Sequence, residues 1–242
     1  ATHRAPGAAM NERHIGQAFV TGGAGFVGGA VLRDLVAAGI AVRALTRTPP
    51  AHLPAELTTL PGVTWIEGDL LAPASWQETL TGCEVVFHLA AAYSWRAQDA
   101  TALYRINVGG TRALLQAAAT HGAPLVVHTG TIGVVGRPAD GSPAREQAPF
   151  ALWPDASAYV RSKWLGEAAA LWAGQRGLPV VVVHPTAPVG AGDYKPTATG
   201  QRIVDFLAGR RPDYPAGGIN FCPVGDIAAG HLLAARRGHY MP

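Results

Sequence analysis

Tyr159 and Lys163 stand four residues apart in Tyr159-Val160-Arg161-Ser162-Lys163, and Lys163 is one of only two lysines in the chain. On a helix, that spacing turns both side chains to one face. An ammonium beside a phenol favours the phenolate and lowers a hydroxyl that ordinarily titrates near ~10. Such a pair gives and takes a proton near neutrality, as interconversion of a carbonyl and an alcohol requires. The pair needs a helix to carry it, and the pattern predicts one over 157–175, ended by Gly174 to Gly177.

A second constellation lies near the other end of the chain. Val20-Thr21-Gly22-Gly23-Ala24-Gly25-Phe26-Val27-Gly28 is G-x-x-G-x-x-G between a β-like run and an apolar-periodic stretch. In a first strand–turn–helix unit such glycines allow a tight turn, a close backbone approach to pyrophosphate, and phosphate at a helix N-terminus. An NAD site commonly carries an acid at the end of the second strand, to accept from the ribose 2′-hydroxyl. Here that segment is Val42-Arg43-Ala44-Leu45-Thr46-Arg47. Arg47, with Arg43 as a second candidate, could pair a 2′-phosphate, so NADP is favoured over NAD. Asp69, after the third strand, is placed for the adenine edge, with a helix cap as its rival role.

The elements that must position these groups alternate. Strands are expected at 17–21, 40–46, 63–67, 85–89, 125–129 and 180–184. Helices are expected at 26–38, around 74–80, and at 102–121, 157–175, 201–207 and 227–237. Near-continuous apolar strands between helices predict a doubly wound α/β fold, a parallel sheet covered on both faces. The division expected is a loose extension over 1–14, with Met10 as a possible natural start, a dinucleotide-binding Rossmann domain over 15–184, and a partial substrate lobe over 185–242 interleaved with the last part of the sheet.

Composition narrows the function classes. Hydrophobic residues make up 48% and charged residues 14%, enough apolar material for a large core. Net charge is +3, but the arginines are scattered and form no basic run, which argues against nucleic acid. Cys83 and Cys222 match no metal or disulfide spacing and read as reduced thiols of a cytoplasmic protein. No apolar run approaches the ~20 residues of a membrane span, and residues 1–13 lack the apolar core of a signal peptide. His88 and His128 end apolar strands and read as satisfied strand-end residues rather than ligands. Ser157 and Ser162 lack the G-x-S-x-G elbow of a hydrolase.

With the glycine loop come Gly68-Asp69-Leu70, His88-Leu89-Ala90-Ala91, Asn107-Val108-Gly109-Gly110-Thr111, the Thr129–Gly136 segment and Tyr159-x-x-x-Lys163, in that order. Together they resemble the extended short-chain dehydrogenase/reductase family of nucleotide-sugar epimerases, dehydratases and dihydroflavonol-type reductases. Within it, Pro185-Thr186-Ala187-Pro188-Val189-Gly190-Ala191-Gly192-Asp193 and Gly225-Asp226-Ile227 look most like the hopanoid-associated sugar epimerases.

The resemblance implies Tyr159 as acid/base and Lys163 on the nicotinamide ribose, depressing the Tyr159 pKa. It puts Thr131, in Gly130-Thr131 where the family usually has two serines, in the role of holding the substrate oxygen. Gly22, Gly25, Phe26, Val27, Gly28, Arg47, Asp69, Leu70, Ala90, Ala91 and Pro185 would line the cofactor with Tyr159 and Lys163. Asn107 would tie its helix to the active-site side of the sheet, and Tyr93, Ser94 and Trp95 are candidate substrate contacts. His184 could approach the nicotinamide carboxamide without being catalytic. Members usually continue past Tyr240-Met241-Pro242, so the sequence would be incomplete, the pocket unusually open, or another subunit would close it. Family members often dimerise through a four-helix interface, which the two long helices would allow.

The chemistry implied is reversible hydride exchange between a nicotinamide and a carbinol or carbonyl carbon, with Tyr159 moving the proton. A nucleotide-sugar epimerase is expected ahead of an NADPH-dependent ketone or aldehyde reductase. A non-catalytic dinucleotide sensor is a third reading, opposed by the Tyr/Lys pair.

Overall fold

The structure, a computed structural model, describes residues 12–123, 125–146, 148–151, 153–210 and 217–238. Met10, most of the expected extension over 1–14, and Tyr240-Met241-Pro242 lie outside the described residues.

The first unit runs β1 (Gln17–Thr21), α1 (Phe26–Ala37), β2 (Ala41–Thr46), the single turn α2 (Ala55–Thr58) and β3 (Val63–Glu67). It continues through β4 (Val85–His88), α3 (Ala100–Tyr104), a π-helical turn (Arg105–Gly110), α4 (Thr111–Thr120), β5 (Val126–Thr129), α5 (Ala158–Gln175) and β6 (Val180–Val183). The last part adds β7 (Ala187–Val189), α6 (Ala198–Leu207), β8 (Phe221–Pro223) and α7 (Val224–Arg237).

Strands β1 to β6 form one sheet in the order β3-β2-β1-β4-β5-β6, every pair parallel. This is a Rossmann doubly wound sheet. The order reverses between β1 and β4, so a crevice opens beyond their C-terminal ends, where such sheets bind ligands. Alternation along the strands builds two cores. Ala18, Val20, Val85, Phe87 and Val127 face α1 and α7, whereas Phe19, Val86, Val126 and Val180 face α4 and α5.

Three expectations need correction. No α-helix forms around 74–80; two 3₁₀ turns, Pro73–Ser75 and Gln77–Leu80, flank Trp76 instead. Trp76 is buried, stacks on Phe19 at 5.8 Å and donates its indole N–H to the Asp69 carbonyl at 2.8 Å. Holding that indole requires φ −142° at Trp76, outside the helical range. The long helix expected over 102–121 is interrupted by the π turn, where a missing Cβ on Gly110 admits Leu70. α7 also starts three residues before the expected 227 and packs on α1. The parallel pair β7–β8 went unforeseen, with Pro188 and Pro223 within its three-residue strands.

Candidate functional site

The glycine loop leaves β1 at the switch point. Gly22 has φ +76°, open to glycine at little cost, and a Cβ there would lie 2.6 Å from the Ala90 nitrogen. A Cβ on Gly28 would meet the Gly22 carbonyl at 2.0 Å. The loop is thus folded against both the Ala90 segment and the first turn of α1. Gly25 is the N-cap of α1; no side chain caps the helix and its first turn carries no acid. That terminus suits an anion; Gly22, Gly25, Gly28 and Ala90 lie close around it, Ala91 is exposed, and Phe26 and Val27 begin α1 partly buried against the core. The local chemistry fits a dinucleotide pyrophosphate.

The neighbouring candidates divide. Arg47 is exposed at the end of β2. Arg43 is committed elsewhere, donating to the Thr79 carbonyl at 2.7 Å and the Thr81 carbonyl at 2.8 Å, so it drops out as a phosphate ligand. Asp69 is exposed and accepts from the Leu71 N–H at 2.9 Å, closing a turn. Leu70 is buried in the core against Gly110; its side chain is not a crevice wall.

The π turn presents Asn107 between the loop after β4 and α5. Its amide oxygen accepts from the Ala92 N–H at 2.7 Å, and its NH₂ donates to the Ala92 carbonyl at 3.0 Å and to Ser162 Oγ at 2.9 Å. Gly166 lets α5 approach this turn, since a Cβ there would sit 2.4 Å from the Asn107 carbonyl. Asn107 therefore holds the loop after β4 and the face of α5 carrying Tyr159 and Lys163.

α5 begins at Ser157, whose hydroxyl accepts from the Val160 N–H at 3.2 Å. Tyr159 is half-buried, with Tyr93 and Trp95 edge-on at 4.8 and 5.8 Å between ring centroids. The Trp95 indole N–H donates to the Tyr93 hydroxyl at 2.6 Å, which ties the two rings together. Burial pushes the Tyr159 hydroxyl up to about 12, Tyr93 adds to this, and a hydrogen bond with the Thr131 side chain opposes it. This reverses the expectation that Lys163 lowers Tyr159. Lys163 is buried, donates from Nζ to the Thr129 carbonyl at 2.6 Å, and is itself brought down to about 8 by burial, with Glu167 acting in the other direction.

Thr131, Tyr159 and Lys163 thus meet at the C-terminal ends of β5 and β6. Pro185 is beside them, its carbonyl accepting from the Ile132 N–H at 3.0 Å. An open cavity of about 430 Å³ adjoins Tyr159, lined by Trp95, Gly133, Arg137, Phe150, Asp155, Ala156, Ser157 and Val160.

The histidines separate into three kinds. His88 is satisfied as expected: Thr21 Oγ1 lies 2.8 Å from Nδ1 and Thr111 Oγ1 2.9 Å from Nε2. Because the Thr111 hydroxyl donates to the Asn107 carbonyl, we assign the His88 proton to Nε2. His128 is equally buried, but neither of its ring nitrogens has a partner among the described residues, contrary to expectation. His184 pairs with Glu167 at 2.9 Å, a contact missed in the sequence although Glu167 stands one helical turn beyond Lys163. Asp193, unassigned from sequence, holds Thr197, the N-cap of α6, by accepting from its N–H and hydroxyl at 2.9 Å each. No cluster of metal-binding side chains occurs among the described residues, and no helix there is long and apolar enough to cross a membrane.

The model of the family described as NAD dependent epimerase/dehydratase matches residues 18–240. A putative dihydroflavonol 4-reductase of Synechocystis sp. is 42% identical over 220 residues, covering 91% of this chain and 63% of its own length. Among solved structures, gox2253 superposes with a TM-score of 0.83 at 34% identity, over 92% of this chain and 68% of that one. MoeE5 in complex with UDP-glucose and NAD gives 0.75 at 28% identity, over 91% and 72%. The chain spans just under two thirds of the length of the curated relatives it matches.

Proposed function

Because the chain belongs to the NAD dependent epimerase/dehydratase family, we propose that it is a nicotinamide-dinucleotide oxidoreductase that reduces a carbonyl carbon on an apolar, ring-bearing substrate. The observation that carries this reading is the aromatic wall at Tyr159: Tyr93 and Trp95 edge-on to its ring, continuing into the cavity beside Phe150 and Val160. Such a surface favours a flat apolar body. Among the described residues lining the cavity the one cation, Arg137, stands with Asp155, a poor setting for a diphosphate. The likeness to a relative named as a dihydroflavonol 4-reductase supports the same reading. The sequence alone favoured the nucleotide-sugar epimerase, and the MoeE5 complex with UDP-glucose and NAD keeps it as the second reading.

In this proposal residues 15–184 bind the dinucleotide and 185–242 contribute part of the substrate lobe. When bound, the dinucleotide supplies the hydride equivalent and receives it back in the reverse direction. Tyr159 gives its hydroxyl proton to the substrate oxygen, and Thr131, hydrogen-bonded to that hydroxyl, aligns the oxygen. Lys163 holds the ribose hydroxyls, and Asn107 keeps the Ala92 loop and α5 in register.

NADPH consumption with a panel of flat apolar ketones tests the reading, set against UDP-hexoses. Net one-to-one oxidation with a ketone is expected. Interconversion of a UDP-hexose without net change in the cofactor would establish the second reading instead, and failure to bind either dinucleotide would sink both. The preference for NADP rests on Arg47. Arg47→Ala is expected to raise the NADPH Kd about tenfold to hundredfold, the worth of ~1.5–3 kcal/mol from a charged hydrogen bond. The NADH Kd should stay within about twofold; equal losses for both dinucleotides would refute the assignment.

A further inference from the structure

Tyr159, Lys163 and Glu167 are spaced i, i+4, i+8 on α5, so all three point to the sheet side of that helix. Lys163 is 6% exposed, and its Nζ donates to the uncharged carbonyl of Thr129 at 2.6 Å. An ammonium so buried is costly unless an opposite charge answers it.

The groups facing Lys163 come from four elements. His88 ends β4 and is buried neutral, held down to about 3 by burial and by the lysine charge. His128, on β5, is held well below its ordinary value for the same two reasons, with His88 and His184 adding to them. His184 follows β6, and Tyr159 lies one turn back on α5 with its proton retained. None of these supplies a negative charge. Glu167 does, and among the described residues it is the one whose charge acts on Lys163 to favour the ammonium.

The Glu167 carboxylate is held in place. Its Oε2 lies 2.9 Å from His184 Nε2, and both side chains are mostly buried, at 14% and 10% exposed. Room for the pair comes from Gly130, where a Cβ would lie 2.8 Å from Glu167 Oε2 and 2.8 Å from His184 Cδ2. A serine or alanine at 130 would displace one or the other.

We propose that Glu167, oriented by His184 in the space left by Gly130, is a positioning residue that keeps Lys163 an ammonium and thereby sets the pH range over which the site can hold an anionic or hydroxyl-rich ligand. What Lys163 then does belongs to the proposed function; its charge state does not depend on that reading.

The chain's two lysines make this directly measurable. Protein labelled with ¹³C at lysine Cε should give two titrating resonances, and Lys195→Arg assigns them. In the wild-type chain, Lys163 is expected to titrate near 8. Glu167→Gln should move its midpoint down by about one pH unit, the lower end of what an adjacent charge contributes. Lys195 serves as the unmoved control. Gly130→Ala and His184→Gln, which keep the carboxylate but disturb its seat, should move Lys163 in the same direction by less, and they stand in if Glu167→Gln fails to fold. A Lys163 midpoint unchanged in folded variants, even with a lower Tm, would overturn the proposal and leave Glu167–His184 a structural tie between α5 and the end of β6. The titration needs neither substrate nor dinucleotide. A chain without turnover but with the expected shift would therefore count against the proposed function alone.

Discussion

Tyr159→Phe is expected to lower kcat for carbonyl reduction by about 10³-fold, within the ~10²–10⁴ contributed by a positioned acid, while dinucleotide affinity and Tm barely change. The substitution is surgical because the ring stays. Tyr93 and Trp95 contact Tyr159 through ring edges, and a phenylalanine preserves both contacts. What disappears is the hydroxyl and its hydrogen bond with Thr131. With that hydroxyl pushed up to about 12 by burial, it keeps its proton through the whole neutral range and acts as the donor when negative charge develops on the substrate oxygen. Thr131→Ser should be far milder, since it retains the hydroxyl and removes a methyl group. Thr131→Ala should approach the Tyr159→Phe loss to within about tenfold if alignment of that oxygen is shared between the two groups. Single-turnover rates with saturating NADPH, alongside NADPH binding, separate the proton step from affinity. A Tyr159→Phe rate within about threefold of wild type would exclude Tyr159 as the acid, because the expected range begins near ~10².

The second large effect is on stability in acid. His88, His128 and His231 are all buried and all have their protonated forms disfavoured by burial, His88 down to about 3. In the unfolded chain each titrates near ~6.5. Between those values the unfolded chain binds protons that the folded chain refuses, so stability is present above about pH 6.5 and is lost as pH falls toward 3. For His88 alone the full loss is on the order of 5 kcal/mol, comparable with the whole stability of many domains. Denaturant midpoints measured from pH 7 to pH 4 should fall steeply. His128→Phe should flatten that slope, because it removes a proton-binding group whose ring nitrogens have no partner among the described residues. A midpoint constant down to pH 4 would mean that these imidazoles are not buried neutral. Unlike His128, His231 is bonded at both nitrogens, to the Ile227 carbonyl at 2.7 Å and the Thr129 hydroxyl at 2.9 Å, so its replacement should cost stability at neutral pH as well.

The parts of this molecule that repeat a simple period were legible in the sequence. β1 and β3 fall on the expected residues, and α5 begins one residue inside its expected span, with Ser157 as its cap. Parallel strands buried on both faces announce themselves as apolar runs, and the glycine loop announces itself by context. Features made by one side chain reaching across the fold stayed hidden. Trp76 breaks an apparent helix because its indole must reach both Phe19 and the Asp69 carbonyl, a demand invisible to periodicity. Arg43 looked like a phosphate ligand until its neighbours were known to be the Thr79 and Thr81 carbonyls. The pKa of Tyr159 was misjudged because spacing indicates which groups share a face but not how far water is excluded from it. Glu167 was the opposite case, as the spacing that marked Lys163 repeats once more and points to it.

The packing of α7 on α1 has a consequence for how this chain is made. α1 buries Val31, Leu32 and Leu35 in the same cluster as Val224, Ala228 and Ala235 of α7, about 200 residues downstream. The segment just before β1 is then fastened to the end of α7, with Arg13 donating to the carbonyls of Ala235 and Arg236 and Glu12 paired with Arg237. At roughly 5–20 residues per second a ribosome needs on the order of 10–40 s to supply that second helix. For that interval the first βα unit is complete in sequence but its apolar face lacks the cover that α7 supplies, so this part of the core closes only after most of the sheet has been made.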